Sequence, residues 1–486
     1  MKKVIIGLIV GFWLVMMGLL LVKEGLLPTK RKVLSYKEFL SKDIPFQEEW
    51  MGIYFNREKI GYSWTTINPH PKGFMVNSRA SIFVSLCSKN MKMDITGLSI
   101  IDKDYRLSSF HYSLLSSDHK AKIKGRVEKD KLFLSVLTGE VETERIISLK
   151  ENPLLSDLLT PFRAFPRLDT GKEYLVSIID PLSLALDTVK IKVTGKDSLL
   201  FEDKPLEVVV LNLDYKGIST KVFTTPDGRI LKCETPFGLT LIKESAEDQT
   251  EFEKGSLKFD IAGAVSIPSN VKIKSFRDVR FLRARITGVD LSRYRLADSR
   301  QKVLDNNLVE ISAPADNKEA AAKIPISKYE EFLEPTLFIQ SEDERITEKA
   351  GEIIGDEDNA CLAAKKLLVW MGKNLKKSPT LSIPSAIDVL ESKTGDCNEY
   401  AVLFAALAKS VGIPTKICIG LVYYEGSFYY HAWVKSYLGY WCDIDPVLGQ
   451  MPVDATHIKF IEGDPSRQAD ILDLIGRVKI EVLEYK

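Results

Sequence analysis

Residues 396–414 read DCNEYAVLFAALAKSVGIP, and this stretch limits the possible folds more than any other. Asp396 and Glu399 have the D-x-x-E spacing of a capping pair, which makes Cys397 the first residue of a helix. Gly412 stops that helix and Pro414 prevents it from resuming. From Cys397 to Val411 the helix is apolar on nearly every face. A helix of that kind is stable only when surrounded, so the chain must build layers around it.

A thiol in the first turn of a helix feels the positive end of the helix dipole, which lowers its pKa and favours the nucleophilic thiolate. Three strand-like runs follow. Residues 415–424 (TKICIGLVYY) are the first, and Glu425-Gly426-Ser427 turns the chain. Residues 428–436 (FYYHAWVKS) and 440–446 (YWCDIDP) are the second and third. Side chains alternate on a strand, so His431 shares a face with Tyr429, Trp433 and Lys435, and Asp443 and Asp445 share one with Trp441. A three-residue loop at 437–439 pairs Ser436 with Tyr440 and sets His431 opposite Asp445. A two-residue loop would put them on opposite faces. The spacing therefore permits a Cys397, His431, Asp445 triad, with Asp443 as the reserve carboxylate. In that triad the imidazole takes the thiol proton and the carboxylate fixes its tautomer.

Gly395-Asp396-Cys397, Gly412-Ile413-Pro414, His431-Ala432-Trp433 and Trp441-Cys442-Asp443-Ile444-Asp445-Pro446 together resemble the transglutaminase-like fold, a papain-related superfamily. The order Cys, His, Asp and the helix-then-meander setting agree, and the likeness extends over residues 340–465. It implies that Cys397 is the nucleophile, His431 the base and Asp445 the orienting carboxylate. The backbone N–H of Cys397 is the natural oxyanion donor; no second donor can be named from the residues.

Other readings compete at each position. Zinc on Cys397, His431 and Cys442 is disfavoured, because Cys442 alternates away from Asp443 and Asp445. Cys418 and Cys442 suit sheet packing. Trp433 and Trp441 suit either a cleft wall or a core. Tyr423, Tyr424, Phe428, Tyr429 and Tyr430 suit cross-strand packing as well as a grip on substrate. His457 is a lone histidine near the same segment.

The rest of the chain divides by pattern. Residues 4–22 carry no charge and would form a helix about 28 Å long, the thickness of a bilayer core. No small-x-small cleavage site follows. We expect an uncleaved signal anchor in a membrane-anchored, bacterial-type protein, with the body on the periplasmic or extracellular side. Lys2, Lys3 and the amino terminus precede the span and Lys23, Lys30, Arg31 and Lys32 follow it, so the charge count does not favour an inside amino terminus. Residues 45–312 alternate in the manner of strands, as in the hairpin of residues 121–127 and 132–137 around Lys129-Asp130. Thr225-Pro226-Asp227-Gly228 marks another turn. A large antiparallel β domain, open like a half-barrel, is expected there. Residues 313–339, rich in Ala, Lys and Pro, read as a connector. Residues 340–486 form the transglutaminase-like domain, whose Cys-bearing helix packs on an antiparallel sheet. Cys361, Ala364, Leu368, Met371 and Leu375 mark one buried helix face in it, and Ser385 can cap a helix starting at Ala386. The fold class is α+β.

A formal net charge of +1 gives no electrostatic footprint for nucleic acid. Six cysteines without a regular spacing imply no disulfide scaffold, although a Cys87–Cys233 bridge is open in an oxidising compartment. No nucleotide loop, flavin fingerprint or metal motif occurs, and no cofactor is expected. The sequence thus points to a membrane-anchored thiol enzyme acting on amide bonds of a protein or peptide, as a cysteine peptidase or amidase rather than a cross-linking acyltransferase. The alternative is a non-catalytic scaffold that keeps the fold.

Overall fold

The computed structural model describes residues 47–486, apart from 87–88, 105, 117–118, 156–169, 181–183, 185, 216–217, 255–258, 305–306, 315–320, 381–384, 464–470 and 472–473. The apolar run 4–22 and Cys87 lie outside the described residues. Among the described residues no helix is long and apolar enough to cross a membrane.

Residues 47–244 build a 15-stranded sheet. From Val141–Ser148 at one edge, hairpin-linked strands lead to Gln47–Phe55. That strand pairs with Leu239–Glu244, and the order then runs back to Leu154–Leu155 at the other edge. Within this sheet, among the described residues, only the Leu154–Leu155 pairing is parallel. The alternation of residues 121–127 produces the expected hairpin, with Val127 opposite Leu132 and Ala121, Ile123 and Gly125 on the buried face. The sheet curls on itself. Met51, Ile67 and Val76 from its middle share one apolar cluster with Tyr174, Val189 and Leu211 from strands near the far edge. Burying both contributions in one core is what drives the curl.

The strands after residue 260 do not extend this sheet. Ile267–Pro268 pairs with the His431 strand, and Phe281–Thr287 pairs with both Leu308–Ser312 and the C-terminal Lys479–Tyr485. The β pattern that runs on to residue 312 in the sequence is therefore shared between two bodies. Leu282, Ala284 and Ile286 alternate inward and join the core around the Cys397 helix, which draws their ladder to that side. The segment read as a connector is also packed. Ile326 enters the core of the helical part, while Leu337 and Phe338 join the cluster of Phe110, Leu132 and Leu134 in the large sheet.

The helix Cys397–Ser410 is buried from Glu399 to Lys409. Around it lie the helices Glu344–Ile354, Ala360–Asn374 and Ala386–Ser392 and a sheet of Thr415–Tyr424, Ser427–Tyr437, Trp441–Ile444 and His457–Gly463. Ala386 does begin a helix, but the Ser385 hydroxyl does not cap it. Gln340 Oε1 accepts from Ala386 N at 3.1 Å instead, because the Ser385 side chain is turned toward the same glutamine.

Candidate active site

The Cys397 helix starts with the capping box read from the sequence. Asp396 Oδ1 accepts from Asn398 N at 3.0 Å, and Glu399 Oε2 accepts from Asp396 N at 3.0 Å. Asp396 Oδ2 also accepts from Thr380 N at 3.3 Å, which ties the cap to the preceding loop. Cys397 is partly buried, and its sulfur takes a hydrogen bond from the backbone N–H of Ala432. The thiol thus lies beside the residue that follows His431. Among the described residues no acceptor is paired with the Cys397 N–H, which leaves that donor available to an oxyanion.

His431 Nε2 lies 2.7 Å from Asp445 Oδ2. With Nε2 occupied, Nδ1 is the ring nitrogen left for a thiol proton. Asp445 is fully buried and its other oxygen accepts from Val447 N at 3.0 Å and Leu448 N at 2.9 Å. Burial alone would raise its carboxyl pKa. The His431 and His457 imidazoles outweigh burial and hold it well below the usual carboxylate range.

The expected strand register is displaced. Tyr437, not Ser436, closes the hairpin, opposite Trp441, and Ser436 faces Cys442. The three-residue loop is 438–440, and Asp445 lies just past the third strand. A shift by an even number of residues keeps the same faces together, so His431 and Asp445 still meet, diagonally rather than directly. Asp443 does not reach the histidine pair. Its Oδ2 accepts from Trp433 Nε1 at 2.9 Å, and Lys435 Nζ lies 3.4 Å from Oδ1.

The Cys397 thiol differs from the helix-dipole expectation. Burial pushes it well above its ordinary pKa, and the Asp396, Glu399 and Asp445 carboxylates push the same way. The Ala432 N–H pulls it down without reversing the direction.

The sequence undervalued His457. It is fully buried, with Nε2 3.1 Å from Asp445 Oδ2 and Nδ1 3.3 Å from Asp454 Oδ1. The Asp-Ala-Thr-His spacing was its one local signal, and its contact with Asp445 depends on the pairing of His457–Gly463 with Thr415–Tyr424. Among the described residues, His431, Asp445 and His457 are the grouping whose nitrogen and oxygen atoms converge, within 4.8 Å. The shared carboxylate oxygen is closed by two hydrogen bonds, the geometry of a histidine–aspartate relay.

Trp433 is fully buried below the site and stacks on His431, with centroids 6.3 Å apart at 21°. It supports the ring rather than forming a cleft wall. Trp441 packs outside, in a cluster with Tyr329, Phe332 and Tyr437. Tyr423 and Phe428 fill the core, and Tyr424 is exposed beside Tyr429. Cys418 and Cys442 are buried.

Comparison with known proteins finds a likeness over part of the chain. Residues 347–446 match the description of the transglutaminase-like superfamily. No curated protein matches the chain at a significant level. Among solved structures, the chain is similar to a protein of Cytophaga hutchinsonii provisionally named a cysteine protease. They share 17% identity and a TM-score of 0.29, over 43% of this chain and 87% of that one. A β-barrel-like protein of a domain family of unknown function from Brucella abortus is 10% identical, with a TM-score of 0.31, over 41% of this chain and 94% of that one. A provisionally named protease of Parabacteroides distasonis is 11% identical, with a TM-score of 0.21, over 77% and 70%.

Proposed function

We propose that the transglutaminase-like superfamily domain of this chain is a thiol enzyme that cleaves amide bonds, with Cys397 as nucleophile, His431 as base and Asp445 as orienting carboxylate. The observation that carries this is the 2.7 Å His431–Asp445 contact, with the Cys397 sulfur held on the adjacent Ala432 N–H. As the sulfur bonds to the amide carbon, its proton passes to His431 Nδ1 and the carbonyl oxygen gains charge opposite the Cys397 N–H. The C–N bond then breaks and the nitrogen leaves with the proton from His431. A thioester remains on Cys397. Water gives one proton to His431 while its oxygen bonds to the thioester carbon. The C–S bond breaks, the acid departs, and the proton returns to sulfur. If an amine takes the place of water, the product is a new amide.

Water is the acyl acceptor we favour, which makes the enzyme a peptidase or amidase with a protein or peptide substrate. The apolar run 4–22 supports an anchor, with the body outside the membrane. The raised pKa of the thiol is the observation that favours the rival reading, a scaffold that keeps the fold without the chemistry. Incubating the full chain with casein and a fluorescent primary amine separates the possibilities. We expect peptide or ammonia release that exceeds amine incorporation and vanishes in Cys397→Ala. Incorporation that outruns release would make the enzyme a transamidase. No turnover, with an unmodified Cys397, would favour the scaffold.

A further inference from the structure

The hydrogen bonds around Asp445 continue beyond the triad. His457 stands between two carboxylates, Asp445 on Nε2 and Asp454 on Nδ1. Both carboxylates are supplied with other donors. Asp454 Oδ1 accepts from Thr456 N at 2.8 Å, and its Oδ2 accepts from Gln450 Nε2 at 3.0 Å and Arg277 Nη1 at 3.2 Å. An ionised carboxylate only accepts, so a ring held between two of them donates from both nitrogens. That requires imidazolium. Burial of the ring opposes the charge, but the two carboxylates outweigh it and raise the pKa.

The other charged groups around the ring leave this result in place. Arg300 donates to the His457 carbonyl at 2.9 Å and to the Asp454 carbonyl at 2.6 Å, and Arg277 is spent on Asp454. His431 is a further titratable neighbour, its ring centroid 6.0 Å away. Trp433, itself fully buried, presents its ring to His457 at 5.3 Å and 80°.

We propose that His457 is a charged positioning residue of the site, which holds Asp445 as an unprotonated acceptor and sets a like charge near His431. This rests on the reading of Cys397, His431 and Asp445 as a triad. The His457 cation shares the Asp445 Oδ2 acceptor with His431, so its charge acts on the His431 ring through a common carboxylate.

The chain has five histidines, so a histidine-selective nitrogen-15 NMR titration of the full chain resolves each ring. We expect His457 to carry both ring protons at pH 7. In His457→Gln the side-chain amide still donates to Asp445 but carries no charge, and the His431 midpoint should rise by about one pH unit. A merely structural histidine would leave that midpoint in place. A singly protonated His457 at pH 7, or an unmoved His431 midpoint, would overturn the proposal. The wild-type titration stands without any variant. It also separates this inference from the enzyme reading, because an inactive chain with a charged His457 and a shifted His431 would condemn the catalysis alone.

Discussion

The backbone N–H of Ala432 donates to the Cys397 sulfur, so the thiol is tied to the strand that carries His431. Burial and three carboxylates still leave the thiol above its ordinary range. Alkylation of Cys397 by iodoacetamide, followed by peptide-resolved mass spectrometry, should therefore keep accelerating past the free-thiol pKa of about 8.5. Asp396→Asn keeps the cap acceptor for the Asn398 N–H while removing the carboxylate with the largest effect on the thiol of the three, so the profile should move to lower pH. A plateau below pH 8 in the wild type would show that the helix dipole prevails over burial.

Asp445 and Asp443 lie two residues apart and do different work, which makes their variants a test of the triad. Asp445→Asn should lower kcat/KM by about 10³–10⁴, because the amide permits the wrong tautomer of His431. Asp443→Asn leaves an acceptor for the Trp433 indole and does not touch His431. It should cost about 1–3 kcal/mol of stability and less than tenfold in rate. Steady-state kinetics with urea unfolding of both variants distinguishes them, and equal losses of rate would remove Asp445 from its role.

The local signals of this site were legible in the sequence, and its distant pairings were not. The Asp396–Glu399 box, the helix start at Cys397 and the stop at Gly412 are set within a few residues of chain, and all are present. The length of the loop before Trp441 was legible but not its position, since Tyr437 and Tyr440 fit either side equally well. Only the parity survived, and parity was enough to bring His431 to Asp445. His457 became part of the site through a strand pairing that no neighbouring residue announces. The attachment of Phe281–Thr287 to Lys479–Tyr485 was hidden for the same reason. Apolar alternation says that a strand has a buried face, not which core will bury it.

Gly420 lies opposite His431 in the ladder, and its smallness is a condition of the site. A Cβ built there would be 2.0 Å from the Ile458 carbonyl oxygen and 2.9 Å from Trp433 Cη2. The first of these is backbone and cannot rotate aside. Gly420→Ala should destabilise the chain by about 1–3 kcal/mol and spread the strands that carry His431 and His457. Chemical denaturation measures the first effect and the His431 titration midpoint the second. An alanine accepted at no cost would mean that this part of the sheet yields easily.

Stability should depend on pH in two directions, because the relay contains groups shifted both ways. Asp445 and Asp454 are held below the usual carboxylate range, Asp445 by His431 and His457 and Asp454 chiefly by His457, in each case against the effect of burial. Groups depressed on folding contribute fully above the unfolded carboxylate pKa of about 3.9, and the contribution drains away as pH falls through the depressed values. His457 is raised on folding by Asp445 and Asp454, against burial. Its contribution is complete below the unfolded value of about 6.5 and is lost as pH rises through the folded one. The Tm should accordingly be highest between about pH 4 and 6.5, with an acid limb from the aspartates and an alkaline limb from His457. His457→Gln should flatten the alkaline limb and lower the maximum, since Asp454 then loses one cationic partner and keeps Arg277. An alkaline limb that persists unchanged in this variant would place its origin outside the relay.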